Sequence, residues 1–157
     1  MTVAQIVILL VRYGLVVLFF PASALDKILN FEGAVTQAKQ VCRSNTVAAA
    51  LILIGLFVEV AMPLGILSGV ADRLAAFVMA GYCAVTALLF KRFWEPGDFW
   101  LPGESKGREL FWDFLKNFSL ASGFLLIVVG LDGHAWHAFV SDPFGSSHPY
   151  AIAPSPR

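Results

Sequence analysis

The sequence predicts an all-α fold: a four-transmembrane-helix bundle with a short amphipathic interfacial helix between spans 1 and 2. Three observations predict it. Hydrophobic residues make up 58% of the chain and charged residues only 14%, against about 45–50% and 25% in soluble domains; mean hydropathy is +0.75. Four apolar stretches are each long enough for the roughly 30 Å hydrocarbon core, which takes about 20 residues of helix. The basic residues of the connections fall mostly on one side. A chain of 157 residues accommodates one such bundle, a single integral-membrane domain over 1–157, and leaves no room for a second. The lipid bilayer is therefore the first partner implied, and a net charge of zero gives no footing for nucleic acid.

The first span covers about 3–25 and includes "LLVRYGLVVLFF", with Arg12 in its middle. The "ASA" at 22–24 imitates a signal-peptide cleavage site, but no basic segment precedes the apolar run and Arg12 divides it, so a retained span is expected. Next, Ile28, Phe31, Val35, Ala38 and Cys42 recur at helical spacing while Glu32, Gln37, Lys39 and Gln40 lie off that stripe. This predicts an amphipathic helix over about 28–42, flat on the interface. The second span, about 46–68, carries Glu59 and ends near Gly65 and Gly69, a small-xxx-small pair that lets helices approach closely. The third, about 73–93, has no charge between Arg73 and Lys91.

The connection that follows, "FWEPGDFWLPGESKGRE", places Trp94 and Trp100 for an aromatic belt at headgroup level. The fourth span, about 109–131, opens on the mixed "ELFWDFLKNF" before turning apolar. A Pro- and Ser-rich tail, 138–157, reads as irregular. Lys27, Lys39 and Arg43 lie in the first connection and Lys91, Arg92, Lys106 and Arg108 in the third, while the opposite side has only Arg73 and Arg157. The excess of basic residues on cytoplasmic loops then puts the N and C termini on the non-cytoplasmic side. Cys42 and Cys83 form no CxxC and read as small apolar fillers.

Charged residues inside spans cost about 2.5–3.5 kcal/mol each on insertion scales, so each needs a partner or a purpose. Arg12 lies nine residues in from one end of span 1 and Glu59 nine residues in from the same-side end of span 2. At 1.5 Å per residue both sit about 13 Å deep, which predicts an intramembrane Arg12–Glu59 ion pair. A second polar layer comprises Asp26 and Lys27 at the end of span 1, with Asp113, Lys116 and Asn117 in the early turns of span 4. Arg12 and Asp26, fourteen residues apart, return to within about 40° of one helix face, so a polar seam through the bundle is expected. These residues either fix helix register and anchor the interface, or line a pocket that binds a polar headgroup or relays protons. His134 and His137 stand at i, i+3, a spacing that permits a metal, but a third ligand is not evident and no metal site is expected. No histidine lies inside a span, which argues against a bis-histidine haem in the bilayer.

The ordered set "RYGLVVLFFPASALDKILNF", "GLFVEVAMPLGIL" and "FLKNFSLASGFLLI" resembles the DoxX family of small four-helix bacterial membrane proteins over residues 8 to 131. Arg12, Lys27, Glu59, Lys116 and Asn117 carry the family pattern. The resemblance implies a location in the bacterial inner membrane and a non-catalytic membrane subunit or scaffold of a quinone- or sulfur-linked redox system. It brings in redox-enzyme subunits as partners and a quinone headgroup as the ligand of the seam. The residues themselves assign no cofactor and no catalytic group. Two other readings stay open: a small-solute or proton transporter, which with four spans calls for a homo-oligomer, and a purely structural membrane scaffold.

Overall fold

A computed structural model of the chain describes residues 2–130 and 134–151. Among them there are only helices: α1 (Val3–Val17), α2 (Phe20–Leu29), α3 (Phe31–Ala38), α4 (Asn45–Ser68), α5 (Asp72–Phe90), α6 (Lys106–Val129) and α7 (His134–Ser141). Four segments are long and apolar enough to cross a membrane: Val3–Leu29, Asn45–Ser68, Asp72–Phe90 and Lys106–Val129. Their outward faces are studded with exposed Leu, Val, Ile and Phe, as suits helices whose solvent is lipid rather than water.

Span 1 extends to Leu29, beyond the expected end at 25, and is two helices rather than one. The break falls at Leu18 and Phe19, just ahead of Pro21, which occupies the first turn of α2. Proline lacks the N–H that would continue the ladder and sits most easily at such a first turn. The interfacial helix is correspondingly shorter than predicted. Ile28 belongs to α2, Asn30 separates the helices with φ −122° and ψ 50°, and α3 ends at Ala38 before a turn at 39–41.

The core lies where α1, α4, α5 and α6 meet and is built from Val16, Phe20, Ile66, Met79, Cys83, Phe124 and Val128 with small alanines of α5 between them. Gly65 makes the α4–α5 approach feasible: a Cβ there would stand 3.1 Å from the Ala75 Cβ and 3.2 Å from the Val70 carbonyl oxygen. Gly69 ends α4 in the left-handed region, φ 76°, where glycine avoids the Cβ penalty.

The two ends of the bundle differ. At the loop end, α3 and the 91–105 connection gather, and Phe93 packs edge-on against Trp94, Phe111 and Phe114. Trp100 is 90% exposed and Trp94 half exposed, in keeping with an interfacial belt. At the tail end, the α4–α5 turn meets α7 and the segment after it. The tail departs from the expectation of irregular chain throughout. It begins as helix, with Phe139 buried against Phe77 at 5.4 Å between ring centroids. Of the predicted tail, residues 152–157 lie outside the described residues.

Asp98 shapes the loop end. Its carboxylate accepts N–H bonds from Gly107 (2.8 Å) and Lys106 (2.7 Å), capping the first turn of α6. The Gly107 and Lys106 amides, joined by the Ser105 hydroxyl, hold its pKa below the ordinary carboxylate value. Because the folded value is the lower one, the stabilisation is complete above the ordinary carboxylate range and is lost as pH falls through the depressed value. The protection of the 106 and 107 amides, taken as the ratio of intrinsic to observed exchange rate at each pH, should therefore fall on acidification through that range, and in Asp98→Ala it should be low at every pH. Equal protection in both proteins would contradict the cap.

Candidate functional site

Two buried polar clusters occupy different levels of the bundle. At the tail end, the Arg12 guanidinium, only 7% exposed, donates through Nη1 to Asp72 Oδ2 at 2.6 Å and to the Ile66 carbonyl at 2.7 Å. Its Nη2 donates to Ser147 Oγ at 2.9 Å. Asp72 is fully buried at the first position of α5 and takes further bonds from the Ser147 N–H (2.8 Å) and hydroxyl. Ala71 before it holds φ 49°, an uncommon conformation for a residue with a Cβ. Asp72 thus stands in the first turn of a helix, where negative charge is favoured.

Tail residues complete this cluster. Tyr150 donates its hydroxyl to the Leu67 carbonyl at 2.6 Å, and its own carbonyl accepts from Gln5 Nε2 at 2.8 Å. Pro149 lies so close to Gly69 that a Cβ there would stand 3.1 Å from its ring. The segment after α7 is a strap across the end of α1 and the α4–α5 turn.

The second cluster is centred on Glu59, 2% exposed. Its Oε1 accepts from Lys27 Nζ (2.8 Å), Ser23 Oγ (2.9 Å) and the Tyr82 hydroxyl (2.9 Å), and its Oε2 from Lys27 Nζ at 3.0 Å. Lys27 also donates to Ser23 Oγ at 2.7 Å. Gly55, one turn before Glu59, makes room for the phenol: a Cβ there would come within 3.2 Å of the Tyr82 hydroxyl. Pro63, one turn after it, supplies no N–H to the Glu59 carbonyl, which loosens the α4 ladder at the same level.

The expected Arg12–Glu59 pair is therefore corrected: Arg12 pairs with Asp72 and Glu59 with Lys27. Equal depth for Arg12 and Glu59 requires spans 1 and 2 to begin flush at one surface. Instead Arg12 meets α4 at Ile66, seven residues beyond Glu59, or roughly 10 Å along the axis. Span 1 is displaced towards the tail end, which brings Ser23 and Lys27 of α2 opposite Glu59. The seam connecting Arg12 to Asp26 is corrected as well. The break at Leu18–Phe19 resets the helical phase, and Asp26 is an exposed carboxylate.

A cavity of about 520 Å³ opens beside Glu59, within the roughly 300–1,000 Å³ range of small-molecule sites. Its inner wall carries Ser23, Lys27, Glu59 and Tyr82, and Phe20, Ile54 and Val85 are among its apolar lining. The α3 helix roofs it through Ala34 and Ala38, and Asp26, Asn30, Gln37 and Asn117 supply polar groups.

The span 4 residues divide. Asn117 lines the cavity and donates Nδ2–H to the Asp113 carbonyl at 2.9 Å. Lys116 is 72% exposed, bonds Asp113 at 3.3 Å and stays outside the cavity. Asp113 is bridged a second time, by Lys91 at 3.0 Å. Of the two histidines weighed for a metal, the side chain of His134 lies outside the described residues and His137 is exposed. Among the described residues no group of three His, Cys, Asp or Glu side chains is placed to hold a metal ion.

Asp72, Ser147, Ser23 and Tyr82 were not singled out from the sequence. Asp72 looked like part of a connecting turn, and Ser147 lay in a tail read as irregular. Tyr82 left a signal, as the one phenol in an otherwise apolar third span.

Fold and site together define an integral membrane protein of four spans that carries ion pairs inside its bundle. The DoxX family profile matches residues 7–92, more than half of the chain, and the chain belongs to that family. The match takes in Arg12, Lys27, Glu59, Asp72 and Tyr82, and so both ion pairs. No curated protein and no solved structure matches it.

The strap contacts carry a measurable consequence. Ser147→Ala removes a hydroxyl bonded to two charged groups and should cost about 1.5–3 kcal/mol, and Tyr150→Phe about 1 kcal/mol, in reversible unfolding of the detergent-solubilised protein. Unchanged stability in both would mean that the tail does not dock on the Arg12–Asp72 cluster.

Proposed function

We propose that the protein is a non-catalytic membrane subunit of a bacterial redox system and that the Glu59 cavity receives the headgroup of a membrane quinone. The observation that carries this reading is the pairing of a polar inner wall, Lys27, Glu59, Tyr82 and Ser23, with apolar flanks in a cavity of about 520 Å³. An isoprenoid quinone has the matching division between a polar ring and an apolar chain. Pockets that bind small molecules are mostly apolar, with a few placed polar groups to fix orientation, and ionisable groups inside a membrane mark functional sites by default.

The same reading places the protein in the inner membrane with the loop end at the cytoplasmic face. The bias of Lys27, Lys39, Arg43, Lys91, Arg92, Lys106 and Arg108 towards that end supports this orientation. The cavity then opens beneath α3 near the cytoplasmic interface. The exposed aromatics Trp94, Trp100 and Trp112 would hold the bundle at that level. Redox-enzyme partner subunits would receive or supply the electrons, since among the described residues the chain offers no metal cluster of its own.

Quinone analysis of protein purified in mild detergent tests the proposal. Lipid extracts of the wild type should contain isoprenoid quinone in near-stoichiometric amount, and Lys27→Met and Tyr82→Phe should retain several-fold less. Quinone no more abundant than in an unrelated four-span protein purified alongside would refute it.

A further inference from the structure

The hydrogen-bonding capacity left unused on the cavity wall is specific. Glu59 Oε1 accepts three bonds, from Lys27, Ser23 and Tyr82, and is saturated. Glu59 Oε2 accepts one, from Lys27, and keeps a lone pair for another donor. Lys27 has three N–H donors. The two carboxylate oxygens stand far closer together than two tetrahedral N–H directions diverge, so a single N–H serves both, at 2.8 and 3.0 Å. A second N–H goes to Ser23 Oγ and the third has no partner among the described residues. One free donor and one free acceptor therefore stand side by side, 3.0 Å apart, on the wall of the cavity.

We infer that this wall selects a hydroxyl-bearing head, a phenol or hydroquinone, over the corresponding carbonyl-bearing quinone. A hydroxyl oxygen about 2.8 Å from both Lys27 Nζ and Glu59 Oε2 closes a near-equilateral triangle with their own separation. It accepts from the ammonium and donates to the carboxylate, so both unused positions are filled by one group. A carbonyl oxygen can take only the ammonium N–H. It leaves the Oε2 lone pair unsatisfied in a buried site and sets two acceptor oxygens against each other, which penalises binding. Gly55 and Tyr82 support the selection by tying down Glu59 Oε1, so that Oε2 is the carboxylate oxygen left with capacity to accept.

The inference rests on the cavity reading proposed above, and the test separates the two. The full-length protein in lipid nanodiscs is titrated with a short-chain benzohydroquinone under reducing conditions and with its oxidised benzoquinone. A redox-inert pair, 4-nonylphenol and its methyl ether 4-nonylanisole, is titrated in parallel. The hydroxyl form of each pair should bind roughly ten-fold tighter or more, and in Glu59→Gln, whose amide can present either a donor or an acceptor, the preference should fall to near parity. Equal affinity within each pair on the wild type would overturn the hydroxyl selection while leaving the cavity reading standing. An absence of saturable binding by all four probes would overturn both. The wild-type comparison decides without the variant, so a failure of Glu59→Gln to fold does not obscure the result.

Discussion

Ionised side chains inside a hydrocarbon layer have to be neutralised locally, and in this bundle that requirement determines how the first span sits against the others. Taking a charge out of water costs several kcal/mol unless a partner of opposite sign and further hydrogen bonds compensate. Arg12 meets this condition with Asp72, the Ile66 carbonyl and Ser147. Glu59 meets it with Lys27, Ser23 and Tyr82. Both clusters join span 1 to α4 or α5 at different heights. Apolar packing alone tolerates sliding along a helix axis, whereas two ion pairs at two levels allow one register.

That register creates the cavity. With Arg12 held at the end of α4, the chain passes the break at Leu18–Phe19 and α2 continues against α4 with Ser23 and Lys27 turned to Glu59. A straight span ending at 25 would leave Lys27 in the connection beyond it and Glu59 without a cation. The proline that permits the break and the glycine at 55 that admits the Tyr82 hydroxyl are thus as much a part of the site as the charges. At the other end, the strap from Ser147 to Tyr150 closes the Arg12–Asp72 cluster from outside the bundle. One cluster is sealed by the chain's own tail and the other faces an open volume, which is why the second is the binding site in this account.

Much of the fold was legible because a span is a matter of local composition. Lengths, apolar content and the amphipathic stripe at 28–42, of which 31–38 forms α3, depend on consecutive residues, and α4, α5 and α6 begin and end within a few residues of where the apolar runs do. The demand for partners was also legible, since Arg12 and Glu59 stand out in any apolar run. Their pairing was not. Depth arithmetic needs a common origin, and the origin of span 1 is set by contacts with Ile66, Asp72 and Ser147, which lie 54, 60 and 135 positions away. Asp72 was hidden by its place in the short connection between the second and third apolar runs, where a charge needs no partner. Lys116 shows the converse: by sequence it stood beside Asn117 as an equal candidate for the polar layer, yet only the asparagine reaches the cavity.

The register of the bundle follows from the identity of the two pairs, and double-mutant cycles in reversible unfolding test that identity most directly. Replacing charges singly and together by leucine or methionine should give coupling energies of roughly 1–3 kcal/mol for Arg12 with Asp72 and for Lys27 with Glu59. For Arg12 with Glu59 the effects should add to within about 0.5 kcal/mol. A coupling between Arg12 and Glu59 as large as either of the others would contradict the register on which both the cavity and its proposed selectivity depend.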